Sequence, residues 1–255
     1  MGGNVFKSLS VSESVQIKKD EVLPTLHLFE REVLEPSGIF SYHLVGSSCL
    51  KPLSNDVDIA IGPFDLSTPQ KRAFAKKDLL QKFEKALNNR GKASLVGSLV
   101  SVLFPIFGRE NEKVQIDVIL SENPQNTAWL LSGGTLQVKG VYRNLLLSYL
   151  AKSQSNDESK KITISYPGGV TIKSNGKTLV ERDERPQIIL DALGLHCKPS
   201  DSTTFEGLVT ILANSGVNSD HLQGYQSYIE SFIDNESTSN GALDSIRVMR
   251  EILSL

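Results

Sequence analysis

Leu44-Val45-Gly46-Ser47-Ser48 and, after a short polar loop, Asp56-Val57-Asp58-Ile59-Ala60-Ile61 decide how this chain is read. Ile39 to Val45 is rich in β-formers and runs straight into a Gly-Ser-Ser turn able to open a short helix, and Val57 to Ile61 reads as the next strand. Alternate residues of a strand share a face, so Asp56 and Asp58 project together while Val57 and Ile59 turn into the core. Two carboxylates so placed repel one another unless a cation sits between them. The bland alternative is an edge strand whose solvent face happens to be acidic, and the preceding Gly-Ser turn weighs against it.

A hard divalent ion, Mg²⁺ or Mn²⁺, takes oxygen ligands and binds through a few carboxylates plus substrate phosphates, which is the environment this pair creates. A nucleoside triphosphate would complete the shell. Gly46 lets the backbone approach a phosphate, and Ser47 and Ser48 add hydroxyl donors beside backbone N–H groups, a pattern suited to the β- and γ-phosphates. Lys51, between the turn and the acids, is either a counter-charge for the triphosphate or a solvated loop lysine. In-line displacement at phosphorus with two ions requires a third carboxylate. Asp117, within Val114-Gln115-Ile116-Asp117-Val118-Ile119, has the setting for it: Gln115 and Asp117 share one face of an otherwise apolar strand.

Outward from this stretch the pattern alternates between helix and strand. The segment DEVLPTLHLFEREVL, from Asp20, predicts a first helix packed outside the sheet. The best-punctuated helix has Thr68 as N-cap, Pro69 at its first position, helix formers through Leu87 and Gly91 as the stop. Leu99 to Phe107 and Lys113 to Leu120 predict adjacent antiparallel strands around the polar turn GRENE. Leu95-Val96-Gly97-Ser98 repeats the letters of the first turn with no acidic pair behind it, and predicts a hairpin turn at Gly97 and Ser98.

Past residue 134 the character changes. Val141 to Ser153 predicts a helix, and ITISYPGGVTIKSNGKTLV predicts short strands turning at Pro167-Gly168-Gly169 and Asn175-Gly176. From Arg185 the pattern is helical, with stops near Gly194, Gly216 and Asn240, and it ends in the amphipathic LDSIRVMREILSL. The expected organisation is a catalytic domain over 1–134 and a mainly helical subdomain with a β hairpin insertion over 135–255. The fold class is α/β (α+β), a short mixed sheet flanked by helices.

Composition bounds the rest. Hydrophobic residues make up 39% and charged residues 22% of 255 residues, and no run approaches the length of a membrane span, so a soluble chain without a membrane partner is expected. The first twenty residues lack a signal-peptide core, and Phe6 stands where a myristoylation signal needs Ser or Thr, so export and lipid anchoring are not expected. Cys49 and Cys197 are too few for a disulfide scaffold or a cysteine zinc site, which fits a reducing cytoplasm. No base adjoins Cys49 in sequence, so packing is its expected role. The four histidines have no metal-ligand spacing. A net charge of −2 excludes a broad basic surface, so any nucleic-acid contact must be a local patch.

The Gly-Ser turn, variable loop, Asp-hydrophobic-Asp strand and later acidic strand resemble the polymerase-β-like nucleotidyltransferase superfamily, through Gly46, Ser47, Asp56, Asp58 and Asp117. The motif covers roughly residues 40 to 120. The opening Gly2-Gly3-Asn4-Val5-Phe6 and Lys51-Pro52-Leu53-Ser54-Asn55-Asp56 look like a group of bacteriophage nucleotidyltransferases, a likeness extending through Tyr142, Arg143 and Lys152. In that group the cytoplasm would be a host's.

What the resemblance implies is transfer of a nucleoside monophosphate from an NTP to an acceptor hydroxyl. Asp56 and Asp58 hold the ion that bridges the triphosphate, and Asp117 joins them around a second. Arg143 and Lys152 are either phosphate ligands or solvated helix charges. Tyr142 is either a stacking platform for the base or a packing residue. The acceptor is an RNA or DNA 3′ end, or alternatively a protein side chain or a small molecule, which the mildly acidic balance favours slightly. A third reading is a non-catalytic nucleotide-binding scaffold, which would have no need of three acids.

Overall fold

A computed structural model describes residues 14–97, 99–135, 138–155, 159–166, 168–214, 219–230 and 236–253. The chain divides into two compact units, Met1–Ala128 and Trp129–Leu255, and each has its own hydrophobic core.

In the first unit, β1 (Ile17–Lys18) leads into α1 (Lys19–Phe29), which continues through a wide turn over Glu30–Leu34 and a tighter one over Glu35–Ser37. Then come β2 (Tyr42–Val45), β3 (Leu53–Ser54), β4 (Asp56–Ile61), α2 (Pro69–Leu87), β5 (Lys92–Val96), β6 (Leu99–Ile106) and β7 (Arg109–Leu120). Five of these strands form one sheet in the order β2-β4-β7-β6-β5. β4 and β7 run parallel, and the other neighbours are antiparallel, so the sheet is mixed as expected. A parallel pair needs a long crossover, which α2 and the β5–β6 hairpin supply.

Period-two alternation gives this sheet two different faces. Val57, Ile59 and Ile61 of β4, Val100, Val102 and Phe104 of β6, and Val114, Ile116 and Val118 of β7 all point to one side. There they pack against Val22, Leu26 and Phe29 of α1 and Leu79, Phe83 and Leu87 of α2. Phe29 anchors the layer edge-on to Phe83 at 5.9 Å and to Phe104 at 5.1 Å. The alternate residues of the same strands carry Asp56, Asp58, Ser101, Gln115 and Asp117 to the other side.

Three local expectations are corrected, and one element is added. The Gly46-Ser47-Ser48 segment opens no helix but forms a turn, closed by the Leu50 N–H donating to the Ser47 carbonyl at 3.0 Å. The α2 stop is Asn88, in the left-handed region at φ 42°, a conformation its short polar side chain tolerates without glycine. Thr68 caps the other end as expected, accepting from the Lys71 N–H at 3.2 Å. The GRENE segment belongs largely to β7, because Ile106 pairs with Arg109 and the reversal is made by Phe107 and Gly108 alone. Polar letters there mark the exposed end of a long strand. β5 is an addition to the expected elements; it pairs with β6 across a tight hairpin at Gly97, and Ser98 lies outside the described residues.

α3 (Pro124–Leu131) spans the division between the units. The second unit contains α4 (Gly140–Ser153), the antiparallel sheet of β8 (Lys160–Ser165), β9 (Gly169–Ser174) and β10 (Lys177–Asp183), and then α5 (Pro186–Ala192), α6 (Phe205–Asn214), α7 (Ser219–Glu230) and α8 (Glu236–Leu253). The expected β insertion among helices is therefore present. α8 runs through Asn240, which is no stop. The expected turn residue Pro167, the stop at Gly216 and the opening Gly2 to Phe6 lie outside the described residues. Among the described residues no helix is long and apolar enough to cross a membrane.

Candidate active site

The parallel register of β4 and β7 sets Asp58 directly beside Asp117 and Asp56 beside Gln115. Asp56 lies two residues from Asp58 along β4, on the same face. Carboxylate oxygens from the three aspartates all come within 4.8 Å of one another. Asp117 is almost wholly buried, 2% exposed, and the other two are partly buried.

The electrostatics match that crowding. Burial, then the neighbouring charges of Asp56 and Asp117, push the Asp58 carboxyl up to about 7. Burial and Asp117 raise Asp56, with Lys51 pulling back, so Lys51 lies within electrostatic reach of this acid. Burial raises Asp117 as well, against hydrogen bonds from Ser101 and Gln115 that favour its charged form. No ion pair to any of the three forms among the described residues. Three oxygen-only ligands, half-desolvated and short of positive charge, are the donor set a hard divalent cation fits.

Asp117 is held rigidly. Ser101 Oγ donates to Asp117 Oδ1 at 2.6 Å, and Gln115 Nε2 donates to Oδ1 at 2.9 Å and Oδ2 at 3.0 Å. Ser101 is a neighbour of the acids that the sequence reading does not single out. The signal is there, since Ser101 is the lone polar side chain of Leu99–Ile106 and faces Asp117 across the β6–β7 ladder.

Gly46 is required twice over. Its φ is +72°, where L side chains are strained, and a Cβ there would stand 2.5 Å from Asp58 Oδ2. The space a side chain would fill is taken by the carboxylate. Ser47 and Ser48 then part company. Ser48 is buried, and its Oγ donates to the Asp56 carbonyl at 3.1 Å, tying the turn to the acidic strand. Ser47 is partly exposed, and its hydroxyl makes no hydrogen bond among the described residues. Cys49 is a free thiol that burial pushes up in pKa, the opposite of an activated nucleophile.

Tyr142, Arg143 and Lys152 lie on α4 in the second unit. Tyr142 is 4% exposed within that unit's core, and its carbonyl accepts from the Tyr225 hydroxyl at 3.0 Å. This is the packing role weighed against stacking. Arg143 is fully buried: its Nε donates to the Ser202 carbonyl at 2.7 Å and its guanidinium lies 4.2 Å over the Trp129 ring. Burial lowers it to about 10. Lys152 Nζ sits 6.0 Å from the Tyr228 ring centroid.

No protein-family model matches the chain, and no curated protein is similar to it. Among solved structures, the crystal structure of Leishmania infantum polymerase beta in a ternary P/T complex is similar over 74% of this chain and 77% of that one. The identity is 17% and the TM-score 0.42.

Proposed function

We propose that the protein is a metal-dependent nucleotidyltransferase that moves a nucleoside monophosphate from an NTP to an acceptor hydroxyl, with a nucleic-acid 3′ end as acceptor. The observation that carries this reading is the meeting of Asp56, Asp58 and Asp117 oxygens within 4.8 Å on adjacent parallel strands beside a glycine-serine turn. A binding scaffold would have no use for three self-repelling carboxylates, each raised in pKa, on one side of a sheet.

In this reading Asp56, Asp58 and Asp117 hold Mg²⁺ or Mn²⁺, which supplies charge neutralisation at the triphosphate and lowers the proton affinity of the attacking hydroxyl. Ser101 and Gln115 keep Asp117 aimed. The Ser47 hydroxyl and the Lys51 ammonium meet the β- and γ-phosphates, while Ser48 fixes the turn that presents them. The acceptor oxygen bonds to the α-phosphorus, the bond from that phosphorus to the oxygen bridging to the β-phosphate breaks, pyrophosphate leaves and the hydroxyl proton goes to solvent. The first unit carries the reaction. On α4 of the second, Tyr142 and Arg143, interior to that unit, hold its core in shape. The bacteriophage likeness, and with it a place in a host's cytoplasm, belongs to the same proposal.

The test is incubation of the protein with each α-labelled NTP, Mg²⁺ or Mn²⁺, and RNA, DNA and protein acceptors, for wild type and Asp58→Ala. The proposal expects label on nucleic acid and none with the variant, whose circular dichroism stays native. Undiminished turnover by Asp58→Ala removes this site from the chemistry, and label on protein reassigns the acceptor.

A further inference from the structure

A cavity of about 330 Å³ opens at the other end of β2 and β4 from the acids. In the β2–β4 ladder Val45 faces Asp58 at one end and Tyr42 faces Ile61 at the other, and the cavity is built from residues just beyond that second end. Four residues of strand, about 13 Å, separate Asp58 from Gly62. Phe40, Phe64, Pro63, Ser37, Asp78 and Lys82 line the cavity.

Three properties of this place go together. First, Phe40 is 79% exposed, an aromatic side chain whose burial the fold does not use. An exposed ring that lines a concave site offers a face on which a flat ligand can stack. Second, the adjoining helix α2 concentrates positive charge: it carries six basic and two acidic side chains in a chain whose net charge is −2. Its outward face shows Phe74, 73% exposed, with Lys77 three residues on and Lys85 three turns along the helix. Lys77 and Lys85 have no ion-pair partner among the described residues. Lys82 is paired with Asp78 at 2.8 Å, an exposed and screened pair that an incoming anion can displace. Third, Ser37 is 7% exposed and its hydroxyl lacks a hydrogen-bond partner, which puts an unmet buried polar group beside a wall that also carries Asp78 and Lys82.

A cleft of mixed apolar and polar lining, with an exposed ring in it and lysines on the helix beside it, suits a flat aromatic heterocycle tethered to a polyanion. We propose that the cavity receives an unpaired base of a single-stranded nucleic acid, stacked on Phe40, with the sugar-phosphate backbone crossing the outward face of α2. A duplex keeps its base faces stacked inside, so the site selects single strands. The lysines track the backbone, and the ring accepts any base, since every base has a π-face. This deepens the proposed acceptor, but it is read by binding alone. It can therefore fail while the transfer reaction stands, and the reverse.

The experiment is fluorescence anisotropy of the full chain with a labelled oligonucleotide of roughly 12 nucleotides, single-stranded and duplex, without NTP or metal. Single-strand binding tighter than duplex binding is expected, and Phe40→Ala weakens it about tenfold or more. Replacing Lys77 and Lys85 by glutamine weakens it further and flattens the plot of log affinity against log salt by about 0.7 for each phosphate that is no longer neutralised. Asp58→Ala leaves binding intact, and Phe40→Ala leaves metal-dependent pyrophosphate release with a small hydroxyl acceptor intact. With an oligonucleotide acceptor Phe40→Ala raises KM and not kcat. Equal binding by wild type and Phe40→Ala, or no preference for single strands, overturns the proposal. So does Phe40-dependent self-association in sedimentation, which would assign the cavity to a second copy.

Discussion

Each unit of this chain buries charge, and the two treat it in opposite ways. In the second unit Arg143 is the largest fully buried side chain, and the fold is arranged to keep it: a carbonyl accepts from Nε, the Trp129 face lies under the guanidinium, and Gly133 leaves room for its stem. In the first unit three aspartates crowd together without an ion-pair partner among the described residues, and the fold reinforces their crowding. Ser101 and Gln115 lock one of them, and a glycine makes room for another. Arg143 is a single buried charge given neutral partners, a carbonyl and an aromatic face, with its Nη2 left without a hydrogen bond. The three aspartates are a cluster of like charges held in place against its own repulsion, the donor set a hard divalent cation fits.

The contrast shows most strongly when one charge is removed from each site. Asp117→Asn should lower metal-dependent pyrophosphate release about 10³-fold while the protein stays folded. Arg143→Met should leave turnover per folded molecule unchanged and cost about 1–3 kcal/mol of stability in chemical denaturation, because the Ser202 carbonyl loses its partner. If the effects are exchanged, the roles given to the two sites are wrong.

pH separates the sites next. Asp58 titrates near 7 in the folded protein and near 4 when unfolded, so between those values the folded state binds more protons. Stability of the metal-free protein therefore falls as pH rises through this window, by roughly 2–4 kcal/mol. Asp58→Asn should remove most of that fall and leave the metal-free protein more stable than wild type at pH 8. A flat stability profile from pH 4 to 8 in wild type would show that neither burial nor the neighbouring acids raise Asp58.

Smaller changes probe how the acids are positioned. Gly46→Ala forces both a left-handed alanine and a displaced Asp58 carboxylate, and should lower kcat about 10²-fold with a modest loss of stability. Ser101→Ala removes one short bond to Asp117 and should weaken Mn²⁺ affinity roughly tenfold, read by calorimetry, with Ser101→Thr recovering part of the loss. An unchanged affinity would make Ser101 a bystander.

Much of the first unit is legible in the sequence because its signals are local. Alternation places Asp56 and Asp58 on one face and Val57 and Ile59 on the other, and Thr68-Pro69 announces the start of α2. What local pattern does not supply is register. Nothing within β4 or β7 says that they pair in parallel with Asp58 against Asp117, and nothing within β6 says that Ser101 lands opposite the acid. Those facts come from strand pairing across long loops. Gly46 shows the same limit: a close approach to phosphate is legible, but the neighbour that fills its missing Cβ space sits on β4, beyond the loop. Asn88 shows another, since a left-handed cap invites a search for glycine, and asparagine serves. In the second unit, charge on a helix reads as a surface feature, whereas Arg143 is interior, because its burial depends on partners at Trp129 and Ser202.

Whether the three aspartates form a cation site is decided by the thermal midpoint of wild type and Asp58→Asn at pH 8, with and without Mn²⁺. Wild type should rise on addition of the ion, while Asp58→Asn, already relieved of repulsion, should start higher and gain little. An equal rise in both proteins, or none in wild type at millimolar ion, would show that the three acids are not there to hold one.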